Sequence, residues 1–235
     1  MGLKTMNRSI DVGLVLHLPL SEGAGAKVWD RSAYGNHGDV TFGGGGAAAF
    51  WANTVDGAPV GTFDGLADYV NMGDILNFGA ADSFSLSVRF TPTSVGRKFI
   101  ICKGTLDGAP VAGNEGYDLG TYNGRILSKL HDIDESIWIG LDGPTRVTGI
   151  LYHAVLVIDR ITNKARFYVN GIQSGIEQDI STFGSFSNND TLKIGTYSRT
   201  VTYNPFEGLI DEVRIYNRAL SSQEVRTLSS MRRRI

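Results

Sequence analysis

Cysteine is all but missing from these 235 residues: Cys102 stands alone, so no disulfide can form within the chain. It lies in RKFIICKG (97–104), an apolar run that reads as a buried strand, so its thiol is expected to be inert. Proline is scarce, at 6 residues against 30 glycines, a balance that suits many tight turns and shows no collagen period. No run approaches the roughly 20 apolar residues that cross a bilayer, so membrane insertion is not expected. The first apolar stretch comes late, is broken by His17 and Pro19, and has no small-residue cleavage site behind it. It does not have a signal peptide's layout. Charge of one sign is lacking as well. A formal net charge of −2 gives no electrostatic reason to bind nucleic acid or an anionic surface. The local exception, Arg232 to Arg234, reads as cations at the end of a helix, with docking as the alternative. The histidines form no HxH, HExxH or paired Cys/His spacing, which argues against a zinc site.

What is present is alternation. With 42% hydrophobic and 20% charged residues, the composition is that of a globular domain with a sizeable core. In SFSLSVRF, Phe84, Leu86, Val88 and Phe90 face one way and Ser83, Ser85, Ser87 and Arg89 the other, as in a half-buried antiparallel strand. YHAVLVID (152–159) is apolar on both faces and reads as a central strand. ARFYVNG turns Ala165, Phe167 and Val169 inward. Asn123–Gly124, Asn170–Gly171 and Asp64–Gly65 are hairpin turn signals, because those residues tolerate positive φ. FGGGGAAAFW (42–51) reads as a loop pinned at one end by Phe50 and Trp51. Only the end of the chain predicts a helix, with a Ser221/Glu224 capping box ahead of Val225 and Leu228. The expectation is an all-β, two-sheet antiparallel sandwich with a short C-terminal helix. It comprises an arm over 1–12 and one domain over 13–235.

Six segments in order carry a resemblance: GLVLHLPLSEGAGAKVWDRSAYGNHG (13–38), GTFDGLADYVNMG (61–73), FSLSVRF (84–90), ILYHAVLVIDRITNKARFYVNG (150–171), LKIGTYSR (192–199) and FEGLIDEVRIYNRALSSQEV (206–225). Together they resemble the laminin-G-like jelly-roll domains of the concanavalin A-like lectin/glucanase superfamily. The resemblance implies two face-to-face antiparallel sheets with the N- and C-terminal strands adjacent, and places DRSAYGNHG near the last strand. A fold of this kind hosts many functions, so function has to come from the site.

Three chemistries compete for that site. Glycosidases of the superfamily carry an ExDxE triplet on one strand, and a retaining pair must stand about 5 Å apart. HDIDES offers Asp132 and Asp134 with Ser136 in the third place, and EGLIDE puts Leu209 between Glu207 and Asp211. Neither completes the triplet, so no catalytic residue is assigned and the protein is not expected to be an enzyme. Structural Ca²⁺, which wants six to eight oxygens, is the one cofactor considered. The resemblance points to Asp64 and Asp68, or to Asp30 and Asn36, with Asp211. Asx side chains that bond local backbone are the competing explanation. Sugar binding needs aromatic faces and a few polar groups. Tyr117, Tyr122, Trp138, Tyr197, Arg199, Tyr203 and Asn204, with Asn114, lie on segments expected to be loops beside the groove.

The reading reached is a non-catalytic module that binds a glycan or cell-surface polysaccharide. The alternative is a structural or decoration subunit of a bacteriophage virion, meeting other virion subunits. Either places the protein on a virion or an extracellular surface, with a cytoplasmic stage during assembly. Strand alternation through LIDEVRIY puts Asp211 with Leu209, Val213 and Ile215 on the core face, and Glu212 and Arg214 toward water. Loss of the Asp211 carboxylate is then expected to destabilise, and loss of Glu212 to be nearly silent.

Overall fold

The computed structural model describes residues 10–43, 46–54, 57–104, 115–132 and 138–231. In chain order the elements are β1 (Leu14–Leu18), β2 (Lys27–Val28), β3 (Gly38–Thr41), α1 (Gly46–Phe50), β4 (Trp51–Asn53), β5 (Pro59–Asp64), β6 (Tyr69–Asn71) and β7 (Phe84–Pro92). There follow β8 (Lys98–Gly104), β9 (Gly116–Tyr122), β10 (Arg125–His131), β11 (Trp138–Thr145), β12 (Tyr152–Asp159) and β13 (Lys164–Val169). The chain closes with β14 (Ile172–Asp179), β15 (Lys193–Ile194), β16 (Glu207–Tyr216) and α2 (Ser222–Ser230). The first sheet runs β14-β13-β12-β7-β16-β5-β4, with β1 also paired to β16. The second runs β11-β10-β9-β8-β15-β6-β3-β2. All pairings within the two ladders are antiparallel, so this is the expected two-sheet sandwich, with the N- and C-terminal strands side by side.

Alternation built the core. Phe84, Leu86, Val88 and Phe90 of β7 are wholly buried and meet Ala154, Leu156 and Ile158 of β12 on the same face. Aromatic rings join the layers: Phe78 stacks on Phe84 at 4.2 Å, and Phe84 lies 5.2 Å from Tyr117 of the second sheet. Removing such a buried ring costs about 3–5 kcal/mol in comparable cores. Asn123–Gly124 and Asn170–Gly171 take positive φ and make the β9–β10 and β13–β14 hairpins. Asp64–Gly65 does not make a hairpin, because β5 and β6 belong to different sheets. The Asp64 carboxylate instead accepts N–H bonds from Leu66 and Ala67 and turns the chain across the sandwich. Within the glycine- and alanine-rich stretch, Gly46–Phe50 form a helical turn rather than a loop, with Phe50 fully buried. Ile10, inside the segment expected to be an arm, is packed, because it joins the cluster beneath α2.

The face assignment of β16 is wrong before the bulge, at Ile210 and Asp211, and holds for Val213 and Ile215 after it, for a specific reason. Asp211 pairs with Arg89 and Arg214 with Ser87, so two residues of β16, Glu212 and Val213, oppose the single Val88. Glu212 has φ of 52°. This is a β-bulge, and one extra residue exchanges the faces of everything after it. Ile210 faces the core before the bulge, and Val213 and Ile215 after it. Asp211 shares the outer face with Arg89, while Glu212, expected in water, is buried.

That outer face is not wet, because α2 covers it. The capping box forms as expected, and Val225 and Leu228 pack on Val155, Val157, Tyr168 and Tyr216. Beside this apolar patch lies a polar layer. Glu212 Oε2 accepts from His17 Nε2 at 3.0 Å and from Arg214 Nη2 at 2.5 Å. Arg89 donates to the carbonyls of Leu228, Ser229 and Met231, fixing the C-terminal end of α2. A cation there also complements the helix dipole. Ser87 Oγ meets His153 Nε2 at 2.9 Å. Ser85 and Ser87 are therefore buried, not solvated. Arg232 to Arg234 lie outside the described residues.

Burial alone would raise the Glu212 carboxyl, but the His17 hydrogen bond and the Arg214 charge outweigh it and hold it below its ordinary value. Glu212→Ala is expected to lower stability by roughly 3 kcal/mol, since it leaves the partly buried Arg214 and Arg89 without their buried counter-charge. Glu177→Ala, at an exposed pair with Arg166, should cost under about 1 kcal/mol. Equal losses in urea denaturation would refute the bulge assignment. Burial, and then the charges of Arg89 and Arg214, hold His153 down to about 3 from 6.5. Below pH 6.5 the unfolded chain therefore takes up a proton that the folded protein refuses, and stability falls as pH drops toward 3. Glu212 acts in the same direction, its stabilisation being lost as the carboxylate protonates. Replacing His153 with Gln should flatten the upper part of this dependence, measured by denaturation between pH 7 and 4.5.

Candidate functional site

The second sheet keeps its outer face free of any helix among the described residues. Tyr117 and Leu119 of β9 point into the core, so Asp118, Gly120 and Tyr122 point out. Register then defines a line across the sheet: Lys27, Asp39, Asn71, Lys193, Cys102, Asp118, Lys129 and Gly140 are successive partners on this face. The segment after β15 lies over its middle and brings Tyr197 and Tyr203 down onto Phe99.

The result is a ring-and-cation cluster. Tyr197 lies 5.1 Å from Phe99 and 5.5 Å from Tyr203. The Arg97 guanidinium sits 4.6 Å over the Phe99 ring and 5.6 Å from that of Tyr122, whose other neighbour is Lys129 Nζ at 5.6 Å. Tyr122 and Tyr203 keep 42% and 44% of their surface in solvent, whereas Phe99 and Tyr197 are buried. Beneath them Asp118, 2% exposed, accepts the Lys129 N–H at 2.8 Å and stands 3.6 Å from Arg97. Its carboxylate holds the cluster together from below. Cys102 is also buried here, and burial pushes its thiol well up, disfavouring the reactive thiolate. Lys193 donates to the Ser198 carbonyl at 2.5 Å, and burial pulls its pKa down.

The structure brings three of the seven expected sugar-contacting residues together: Tyr122, Tyr197 and Tyr203. Of these, Tyr197 is buried and serves as support. Tyr117 is not on a loop. It is wholly buried in β9, donating its hydroxyl to the Leu76 carbonyl at 2.9 Å, and belongs to the core. Arg199 is at the rim, where its Nε pairs with Asp190 at 2.9 Å. Asn204 takes a left-handed φ of 51°, and its carbonyl accepts the Phe99 N–H, a turn role. Trp138 opens β11 opposite His131, and its side chain, with Asn114 and Asp134, lies outside the described residues. Arg97 and Phe99 were missed. Their signal, a cation two residues before an aromatic at a strand start, carries no meaning until the strand's outer face is known.

The five candidate calcium positions fall in three separate places. Asp30 receives N–H bonds from His17, Ser32 and Asn36 and the Ser32 hydroxyl, all within 2.9 Å, and Asn36 Nδ2 donates to the Val15 carbonyl. Asp64 receives Leu66, Ala67 and Asp68, and Asp68 receives Gly43 and Asp64. Burial would raise Asp64, but these backbone donors outweigh it and leave its carboxyl low. Asp68 is raised, by burial first, with the Asp64 charge adding to it. Asp211 lies on the far sheet beside Arg89. A hard cation wants converging oxygens, and the carboxylates of Asp30, Asp64 and Asp68 face converging N–H groups instead. They close loops and do not fit the ion. Among the described residues no cluster of three or more His, Cys, Asp or Glu side chains could hold a metal. Asp132, one of the two aspartates in HDIDES, is buried and accepts the Gly184 N–H at 2.5 Å.

Comparison with known proteins agrees with this architecture. The sequence matches no curated protein. The binding domain of Paraclostridial mosquitocidal protein 1 is similar in structure, with a TM-score of 0.72 at 14% identity over 94% of this chain and 52% of that one. The botulinum neurotoxin serotype D binding domain gives 0.66 at 16% over 95% and 52%. The chain thus spans about half of these toxin domains, at 52% of each. Domain 4 of AbnA, a GH43 extracellular arabinanase from Geobacillus stearothermophilus solved with arabinotriose, gives 0.64 at 20% over 92% of this chain and 98% of that one. At such identities the likeness is one of fold. A family model described as concanavalin A-like lectin/glucanases superfamily, Laminin_G_3, matches residues 63–226. That segment runs from the end of β5 into α2 and includes Arg97, Phe99, Tyr122, Tyr197 and Tyr203; the chain belongs to the concanavalin A-like lectin/glucanase superfamily.

Proposed function

We propose that this protein is a non-catalytic carbohydrate-binding module whose ligand lies across the outer face of the second sheet. The observation that carries the reading is the pair of half-exposed rings, Tyr122 and Tyr203, on either side of the stacked Arg97 and Phe99. A sugar presents an apolar C–H face to such rings, and hydroxyls to the charged and amide groups around them. Structurally similar domains named as binding domains, and one solved with arabinotriose, support a binding role. Asp118 is the carboxylate at the centre of the face, and its contacts with Arg97 and the Lys129 N–H suit a support better than an acid exchanging protons with a substrate.

Binding is measured by titration calorimetry against hits from an array of neutral and acidic oligosaccharides, with linear arabinan included. Tyr122→Ala and Tyr203→Ala should each weaken the best ligand by about tenfold or more, with little change in melting temperature. Tyr197→Ala and Tyr117→Ala should instead cost about 3–4 kcal/mol of stability, since both rings are packed. An array blank for the wild type, or exposed-ring variants that bind normally, would overturn the proposal. No reducing sugar should be released from the ligand by either wild type or Asp118→Asn.

Calcium is not part of this reading. Melting curves in EDTA and then in millimolar Ca²⁺ should coincide, because a native-state ligand raises stability by mass action. A rise of several degrees with Ca²⁺ would mean that the Asp30 or Asp64 loops rearrange around the ion.

A further inference from the structure

We propose a second saccharide site, on the loop between β2 and β3, built from Trp29 and His37 and independent of the sheet face. Val28 is fully buried and Trp29, the next residue, turns outward with 44% of its surface exposed. The backbone N–H of Trp29 is bound to Glu22 Oε1 at 3.0 Å, which fixes the main chain there. His37 stands against the indole with centroids 4.7 Å apart and planes at 70°.

The imidazole is fixed as firmly. His37 Nδ1 accepts the Asp30 N–H at 3.1 Å, so the neutral ring must carry its proton on Nε2. An exposed indole therefore has a directed N–H donor beside it. The Asp30 carboxylate, holding His17, Ser32 and Asn36, keeps the loop that joins them in place. Tyr34 at the loop tip adds a third ring, 61% exposed.

An exposed indole with an imidazole donor against it suits a ligand with an apolar ring face and acceptor oxygens. A neutral saccharide ring has both. Pre-anchoring also lowers the ordering cost of binding. The site is separate from the first one: β2 is five strand spacings from β9 in the sheet, about 24 Å. A polysaccharide could then be held at two points, which raises avidity without tighter single contacts.

The test uses the full chain and the same oligosaccharide array. In the Tyr122→Ala/Tyr203→Ala double variant, residual binding should persist and should disappear when Trp29→Ala is added. His37→Ala should weaken it about tenfold, and His37→Gln, which keeps a donor, should restore part. The residual ligand should also shift tryptophan fluorescence in the double variant, and the shift should vanish with Trp29→Ala. If the double variant binds nothing, or Trp29→Ala changes nothing in it, this proposal fails while the sheet-face reading stands. Binding unaffected by the double variant but abolished by Trp29→Ala would have the opposite meaning. Unchanged melting temperatures keep unfolding out of the comparison.

Discussion

The arrangement turns on β16, which pairs with β7 along one side and with both β5 and β1 along the other. It must present apolar side chains to one core along its whole length while meeting neighbours of different register. A straight strand carrying this sequence would send Asp211, Val213 and Ile215 inward together. Burying an ionised carboxylate among aliphatics is far costlier than one left-handed residue. The bulge at Glu212 resolves the conflict. It keeps Ile210, Val213 and Ile215 in the core and sets Asp211, Glu212 and Arg214 on the other face.

From that bulge the two outer faces acquire different uses. On the first sheet the acids and cations meet His17, Arg89, Ser87 and His153 under α2, and Arg89 closes the helix end. Buried polar layers of this kind hold register and position well but add little net stability over an apolar replacement. The second sheet has no such cover among the described residues, and its outer face carries rings in place of a helix. One side of the sandwich is thus covered by α2, and the other carries the half-exposed rings of Tyr122 and Tyr203.

Much of this was legible in the residue order. Phe84, Leu86, Val88 and Phe90 alternate with polar neighbours and form the core face of β7. The Asn–Gly turns at 123 and 170 and the Ser221 capping box depend on contacts a few residues apart, so local chemistry suffices to find them. The carboxylates of Asp30, Asp64 and Asp68 were recognisable as important, and the competing Asx explanation describes their contacts better than a metal does. Tyr122 and Tyr203 were recognisable only as members of a larger aromatic set. Nothing in sequence separated them from Tyr117, because whether a ring faces core or solvent depends on which neighbour strand covers it.

The sequence alone settled the class of fold, because period-two alternation, turn residues and a capping box are local properties that act before long-range contacts exist. Tertiary structure decided which charged residues were buried, which rings stayed in solvent and where the sheet reversed its faces. Each of those depends on partners far away in the chain: His17 for Glu212, Val88 for the bulge, Phe99 for Tyr203. A residue's own neighbours carry no record of what the folded chain will place above it.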